Sequence, residues 1–210
     1  MCAVAESEVQ SAACSLPGSP PVINLEPTSL DDVMQCIRQV GSAADCLARA
    51  EHCIAQLQLR IDAVAARTAS IAKRPSVMLL EWIDPPFCAG HWSPEIVALA
   101  GGREAIGVAG ERSATITWEQ IVAADPEVLM IACCGFDIAR TMQDVPILKS
   151  YPHWETLTCV KNDRVYAVDG SAYFSRPGPR LVDSLEILAH ALHESVHPLR
   201  RGLPAAKKVR

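Results

Sequence analysis

From Ala43 to Ala72, Leu47, Ala50, Ile54, Leu57, Ile61, Val64, Thr68 and Ile71 recur in alternating steps of three and four. That spacing draws one continuous apolar stripe along an α-helix, and neither Gly nor Pro interrupts it. At about 1.5 Å per residue the helix would run roughly 43 Å, more than the width of one lobe. Such a helix either pairs in a coiled coil or runs as a spine between two lobes, and a strand on either side favours the spine.

Upstream the pattern is thin. Residues 1–21 end in Leu16-Pro17-Gly18-Ser19-Pro20-Pro21, a linker or an eroded helix and loop. Val22 to Leu25 reads as a short strand and Glu26-Pro27-Thr28 as a turn. Thr28 or Ser29 can N-cap a helix carrying Leu30, Val33, Met34, Ile37 and Val40, which Gly41 ends. One strand and one helix are too little to fold alone; they resemble the tail end of a first α/β unit.

Downstream the period alternates. Arg74-Pro75 stops the long helix, and Val77–Ile83 reads as a strand breaking into a Pro85-Pro86 loop. A short helix from about Pro94 stops at Gly101-Gly102. Past Gly107 and Gly110, a helix begins near Thr117, and Asp125-Pro126 turns into a strand at Val128–Ala132. Cys133-Cys134-Gly135-Phe136 is the next loop, followed by helical stretches at Ile138–Met142, Ile147–Ser150 and Trp154–Leu157. A strand at Arg164–Val168 precedes the closing helix, Arg180 to about Glu194, with Leu181, Leu185, Leu188, Ala189 and Leu192 inward. The order β-α-α-β-α-β-α predicts an α/β fold: a three-layer lobe with a mainly parallel sheet. The expected divisions are a first-lobe remnant (1–42), the spine helix (43–73), an α/β ligand-binding lobe (74–198) and a basic disordered tail (199–210).

Half the residues are apolar and 20% are charged, as in a folded soluble protein. The net charge is −5, yet Arg200, Arg201, Lys207, Lys208 and Arg210 stand in a tail with no acid, so the body carries about −10. An acidic body excludes a nucleic-acid groove. No run approaches the ~20 apolar residues that span a bilayer, so no membrane insertion is expected. The amino terminus has no basic, then apolar, export signal, and Cys2 no preceding lipoprotein run; as the sequence stands, a cytoplasmic location is expected. The nine cysteines form no CxxC pair and read as free thiols of a reducing compartment.

Aromatics make up only 5% of the chain, and they gather where strands end. Trp82, Phe87, His91 and Trp92 follow the first strand, Phe136 the second, and Tyr173, Phe174 and Arg176 the third. In a parallel sheet these loops share one edge, and aromatics there suit a large, flat or greasy ligand. One rival lies near the carboxyl end. His193-Glu194-Ser195-Val196-His197 is a literal HExxH, which on a helix would set two imidazoles for zinc beside a glutamate base. No third ligand follows: residues 198–210 contain no His, Asp, Glu or Cys, and Pro198 ends the helix. Gly170-Ser171 lacks the second glycine of a nucleophile elbow.

Three segments together carry a family resemblance: EWIDPPFCAGHWSPEIVALAGG from Glu81, TWEQIVAADPEVLMIACCGF from Thr117, and DGSAYFSRPGPRLVDSLEILAHAL from Asp169. They resemble the cobalamin-binding type of class III periplasmic substrate-binding protein, which serves ABC importers of vitamin B12 and has relatives for ferric siderophores and haem. The resemblance is specific over 75–197 and fair over 22–72. It implies two α/β lobes joined by one long rigid helix, with ligand between them and no catalysis or cofactor. By the resemblance, most of the amino-terminal lobe, roughly a hundred residues, is expected to lie outside this sequence. By the resemblance, Trp82, Phe87, His91 and Trp92 fall on the cleft loop, and Phe136, Phe174 and Arg176 on its neighbours. Glu119 matches the acid that meets arginines of an ABC permease. The implied function is corrinoid (cobalamin-like) binding. Alternatives are a ferric siderophore or haem, an orphan interaction lobe forming a homodimer through exposed apolar surface, and the zinc protease.

Overall fold

The computed structural model describes residues 6–18 and 20–209; Cys2 lies outside them. Three helices come first: α1 (Glu6–Cys14), α2 (Leu30–Ala43) and α3 (Leu47–Thr68). Strand β1 (Ser76–Trp82) leads through β2 (Phe87–Cys88) to α4 (Ser93–Leu99), β3 (Arg103–Glu104) and β4 (Ala114–Thr115). Next come α5 (Trp118–Ala124), β5 (Val128–Ile131), α6 (Ile138–Ser150), α7 (Thr158–Lys161) and β6 (Val165–Ala167). A single π-turn, Gly170–Phe174, precedes α8 (Leu181–Leu192), and β7 (Lys207–Lys208) is the last element.

The sheet runs β4-β2-β1-β5-β6-β7, with β3 beside the start of β1. Its centre, β1-β5-β6, is parallel. Both faces of β1 are covered, so its residues are apolar without alternation, and the pleat divides them. Val77 and Leu79 pack beneath α2, α3, α4 and α8 with Ile61, Val64, Ile96, Leu185 and Leu188. Met78 and Leu80 face α5 and α6 with Ile121, Val145 and Leu148. Helix, sheet and helix make the three layers of an α/β lobe with a mainly parallel sheet.

Local chemistry sets the helix starts. Ser29 caps α2 in a capping box with Asp32, and Thr117 caps α5 in one with Gln120. Several expectations need correction. The helix expected over 43–72 is shorter: α2 runs through Gly41 to Ala43, Asp45 turns at φ 51°, and α3 covers only Leu47–Thr68, 22 residues and about 33 Å. A Cβ on Gly41 would collide with that of Ala50, so the glycine permits helix contact where a stop was expected. The apolar stripe of α3 buries Leu57, Ile61 and Val64 in the lobe's own core. Residues 22–25 form no strand; Ile23 and Leu25 are exposed.

The basic tail is docked, not disordered. Lys207 and Lys208 pair antiparallel with β6, the Val209 N–H donates to the Val165 carbonyl at 2.9 Å, and Val209 is buried. Arg200 bonds Asp183 and Glu186 of α8. The lysine charges stay in water while the backbone satisfies an open sheet edge. The HExxH stretch is not helical either. It begins after Leu192, with His193 at φ −145°.

Candidate functional site

The carboxyl ends of β1, β5 and β6 carry three loops, and backbone contacts bind them into one edge. The Cys134 N–H donates to the Glu81 carbonyl at 2.9 Å, and the Ser171 N–H to the Phe136 carbonyl at 3.1 Å. Gly170 lies so close to the Cys133 carbonyl that no Cβ would fit. A cis peptide joins Asp84 to Pro85 in the first loop.

The aromatic positions divide by depth. Trp82 is 37% exposed and packs against Phe136 with ring centroids 4.9 Å apart. The Arg140 guanidinium sits 4.2 Å above the Phe136 ring, a cation on its negative face. Phe87 and His91 are half-buried, and Arg176 is exposed. Trp92 and Phe174 belong to the core, 8% and 2% exposed, and the Trp92 indole N–H donates to the Phe174 carbonyl at 3.2 Å. Those two rings fasten the first loop to the third from behind. Trp82 is anchored by its own N–H to the Asp84 carbonyl at 3.1 Å, and Asp84 accepts from the Tyr151 hydroxyl at 3.0 Å.

Polar groups that the loop pattern did not single out stand behind this edge. Ser113 Oγ accepts from the Gly90 N–H at 3.0 Å and lies 3.3 Å from His91 Nδ1. Burial, then nearby Arg112, holds His91 below the usual histidine range. Burial raises Glu81, against a smaller opposing effect of its Ser113 hydrogen bond. Glu104 is pushed up to about 8 by burial, although backbone amides of the 105–107 loop hydrogen-bond to it. Its Oε2 is buried with no hydrogen-bond partner. Glu81 was visible in the sequence as the one charge in an apolar strand. Ser113 and Glu104 gave no comparable signal, because only the fold over Gly90 and Gly107 brings their loop onto the edge.

Cys133 is buried, and burial pushes its thiol up to about 11. No disulfide links the described cysteines. Glu119 stands exposed in the first turn of α5, where a hydrogen bond from its own backbone N–H, then one from Thr117, lowers its carboxyl. The three histidines near the carboxyl end act as donors. His193 Nε2 donates to the Gly101 carbonyl at 3.0 Å, and His190 Nδ1 to the His197 carbonyl at 2.9 Å. Thr68 spends its proton on the Leu99 carbonyl at 2.7 Å, so it accepts from His197 Nε2 at 3.2 Å. These bonds pin α3 and α4 to the carboxyl end of α8. Among the described residues no group of three His, Cys, Asp or Glu side chains could hold a metal ion, and no helix is long and apolar enough to cross a membrane.

The sequence model of a family described as periplasmic binding protein matches residues 9–172. No curated protein sequence matches the chain. Among solved structures, the periplasmic heme-binding protein RhuT from Roseiflexus sp. RS-1 is 27% identical with a TM-score of 0.72, over 90% of this chain and 71% of that one. A periplasmic binding protein from Veillonella parvula is 24% identical with a TM-score of 0.68, over 79% and 57%. An ABC-type Fe3+-hydroxamate transport system protein from Saccharomonospora viridis is 24% identical with a TM-score of 0.66, over 83% and 59%. The chain thus spans less than two thirds of the length of the last two.

Proposed function

The chain belongs to the periplasmic binding protein family, and on that premise we propose that its aromatic edge is one wall of a cleft that holds a corrinoid without changing it chemically. The observation that carries the reading is the Trp82–Phe136 pair. Two rings, one from the end of β1 and one from the loop after β5, meet at 4.9 Å on the carboxyl edge, where open α/β sheets take ligands. Phe87 extends the apolar surface, and His91 and Arg176 supply polar contacts at its rim. Trp92 and Phe174 hold the loops in place from the core. Glu119 is proposed to meet an arginine of an ABC permease through a charge-assisted contact.

A second reading, haem or a ferric hydroxamate, draws on two relatives, one named for heme binding and one for Fe3+-hydroxamate transport. Titration of the protein with cyanocobalamin, haemin and a ferric hydroxamate, followed by calorimetry and tryptophan fluorescence, separates the readings. Saturation by cyanocobalamin is expected, weakened about tenfold or more by Trp82→Ala, which removes a stacking face. Trp92→Ala is expected instead to destabilise the fold by about 3–5 kcal/mol. Preference for haemin or the hydroxamate would install the second reading. No saturable heat from any of the three would overturn both. Capture of a permease that survives Glu119→Ala would remove the docking role.

A further inference from the structure

A groove of about 430 Å³ runs between α3, α8 and the carboxyl segment, and none of the aromatic edge residues lines it. Its α3 wall is one helix face, since Arg60, Ala63 and Arg67 recur in steps of three and four. Val64, Ala189 of α8 and Leu199 complete an apolar floor. Two alanines, Ala63 and Ala189, leave the space that longer side chains would fill. The volume lies within the range of small-molecule sites.

The two ends of the groove differ in charge. At one, Arg60 and Arg200 are committed to Asp183 and Glu186, the latter at 2.8 and 2.9 Å, and the four charges cancel. At the other, seven residues and roughly 10 Å along α3, Arg67 is exposed. Its guanidinium has no hydrogen bond or ion pair among the described residues. His197 lines the same groove yet is only 2% exposed. Its Nε2–H donates to Thr68, which leaves Nδ1 an acceptor, and that atom is buried with no hydrogen-bond partner. Buried polar atoms are rarely left so. His190 and His193 do not supply the missing donor, being bonded to the His197 and Gly101 carbonyls. Burial, then His193 and Arg67, holds His197 below the usual histidine range. At neutral pH the ring is therefore uncharged and its Nδ1 lone pair is open.

We propose that this groove binds a small amphiphilic 2-hydroxy acid, with its carboxylate on Arg67, its hydroxyl donating to His197 Nδ1, and its alkyl chain along Ala63, Val64, Ala189 and Leu199. A guanidinium takes a carboxylate through two parallel hydrogen bonds. The imidazole proton is committed to Thr68, so Nδ1 can only accept, and it calls for a donor rather than a second acid. A 2-hydroxyl is the smallest donor that sits beside a carboxylate. The far end sets the orientation, because its guanidinium groups are already paired and Glu186 repels an acid. Nδ1 is shielded from solvent; the long, exposed Arg67 chain has the freedom to turn with the carboxylate it holds and let the hydroxyl reach the ring.

The test compound is 2-hydroxyoctanoate, with octanoate and 1-octanol as controls, followed by calorimetry and by long-range ¹H–¹⁵N spectra of the histidines. Saturable binding of 2-hydroxyoctanoate is expected, with the His197 Nδ1 resonance shifting as it gains a donor. Octanoate is expected to bind about tenfold more weakly, the loss of one hydrogen bond to a buried atom, and 1-octanol not to saturate. Arg67→Ala is expected to weaken 2-hydroxyoctanoate about tenfold or more. Ala63→Leu, a change between good helix formers at an exposed position, is expected to block it without lowering the midpoint of unfolding. Neither variant touches the aromatic edge, so cyanocobalamin titrations are expected to be the same in both, and the two sites stand or fall separately. No saturable heat from 2-hydroxyoctanoate, binding that survives Ala63→Leu, or equal affinity for octanoate with no shift at Nδ1 would overturn the site.

Discussion

A carboxyl buried without a full set of partners is an energetic statement that can be read in solution. Glu104 keeps its proton up to about 8, against an ordinary value of 4.5, because burial penalises the charge more than the loop amides stabilise it. Below the ordinary value, folded and unfolded chains both hold the proton and Glu104 adds no pH dependence. Between the two values only the folded chain holds it, so raising the pH favours unfolding by up to about 1.4 kcal/mol per pH unit. Above the folded value the slope disappears again. Denaturant unfolding across this range is expected to show that decline, and Glu104→Gln to flatten it. An unchanged slope in the variant would show that Glu104 ionises freely. At this scale the sequence was least legible. Trp82 and Trp92 look alike in a run of Pro, Gly and aromatics, yet one is exposed and the other core. The difference comes from where the third loop's Phe174 carbonyl lies, which local pattern cannot show.

Elements were more legible where a period or a cap was strong. The helix starts at Ser29, one of two expected caps, and at Thr117, and the inward stripe of α8, are where local pattern put them. β2, β3 and β4 were not foreseen, because a two-residue strand has no period and exists only by pairing with its neighbour. The break between α2 and α3 was expected at Gly41 and lies at residues 44–46, where no Gly or Pro marks it. How α3 is held follows from charge as well as from its apolar stripe. Arg60 bridges to Asp183 and Glu186 of α8, the latter at 2.8 Å, and Arg200 reaches the same two acids from the carboxyl segment. Burial alone would raise Glu186, but hydrogen bonds from Arg60 and Arg200 together hold it below the ordinary range. The folded value is lowered, so this contribution is present at neutral pH and lost as the pH falls through that lowered value, opposite in sign to Glu104. Arg60→Ala leaves two half-buried carboxylates sharing one guanidinium and is expected to cost about 1–3 kcal/mol. The loss should shrink in acid, where the carboxylates protonate. A midpoint of urea unfolding that does not move would mean that the Arg60 ion pairs add nothing to the attachment of α3.

For the whole molecule, alternation of strand and helix periods was enough to give an α/β lobe with its loops on one edge, because that order admits few topologies. The carboxyl-terminal segment escaped the same reading because five bases without an acid describe a solvated tail, and composition carries no information about an open sheet edge elsewhere. β6 is the last parallel strand, and without β7 its outer carbonyls and N–H groups would face water or another chain. β7 closes that edge with a lysine pair whose charges discourage further strands, while Val209 turns inward to 7% exposure. Removing residues 207–210 would therefore do two things. It would take one valine out of the core, worth about 1.5–3 kcal/mol, and it would bare β6 as a template for association. The shortened chain is expected to unfold at lower denaturant, to exchange its β6 amide hydrogens faster than its β1 amides, and to self-associate with rising concentration. The exchange ratio separates the two effects: loss of a core valine alone would lower protection throughout the cooperative unit, whereas an opened edge is felt first in β6. A shortened chain with the original midpoint and unchanged β6 protection would mean that the sheet ends stably at β6 and that β7 merely rests against it.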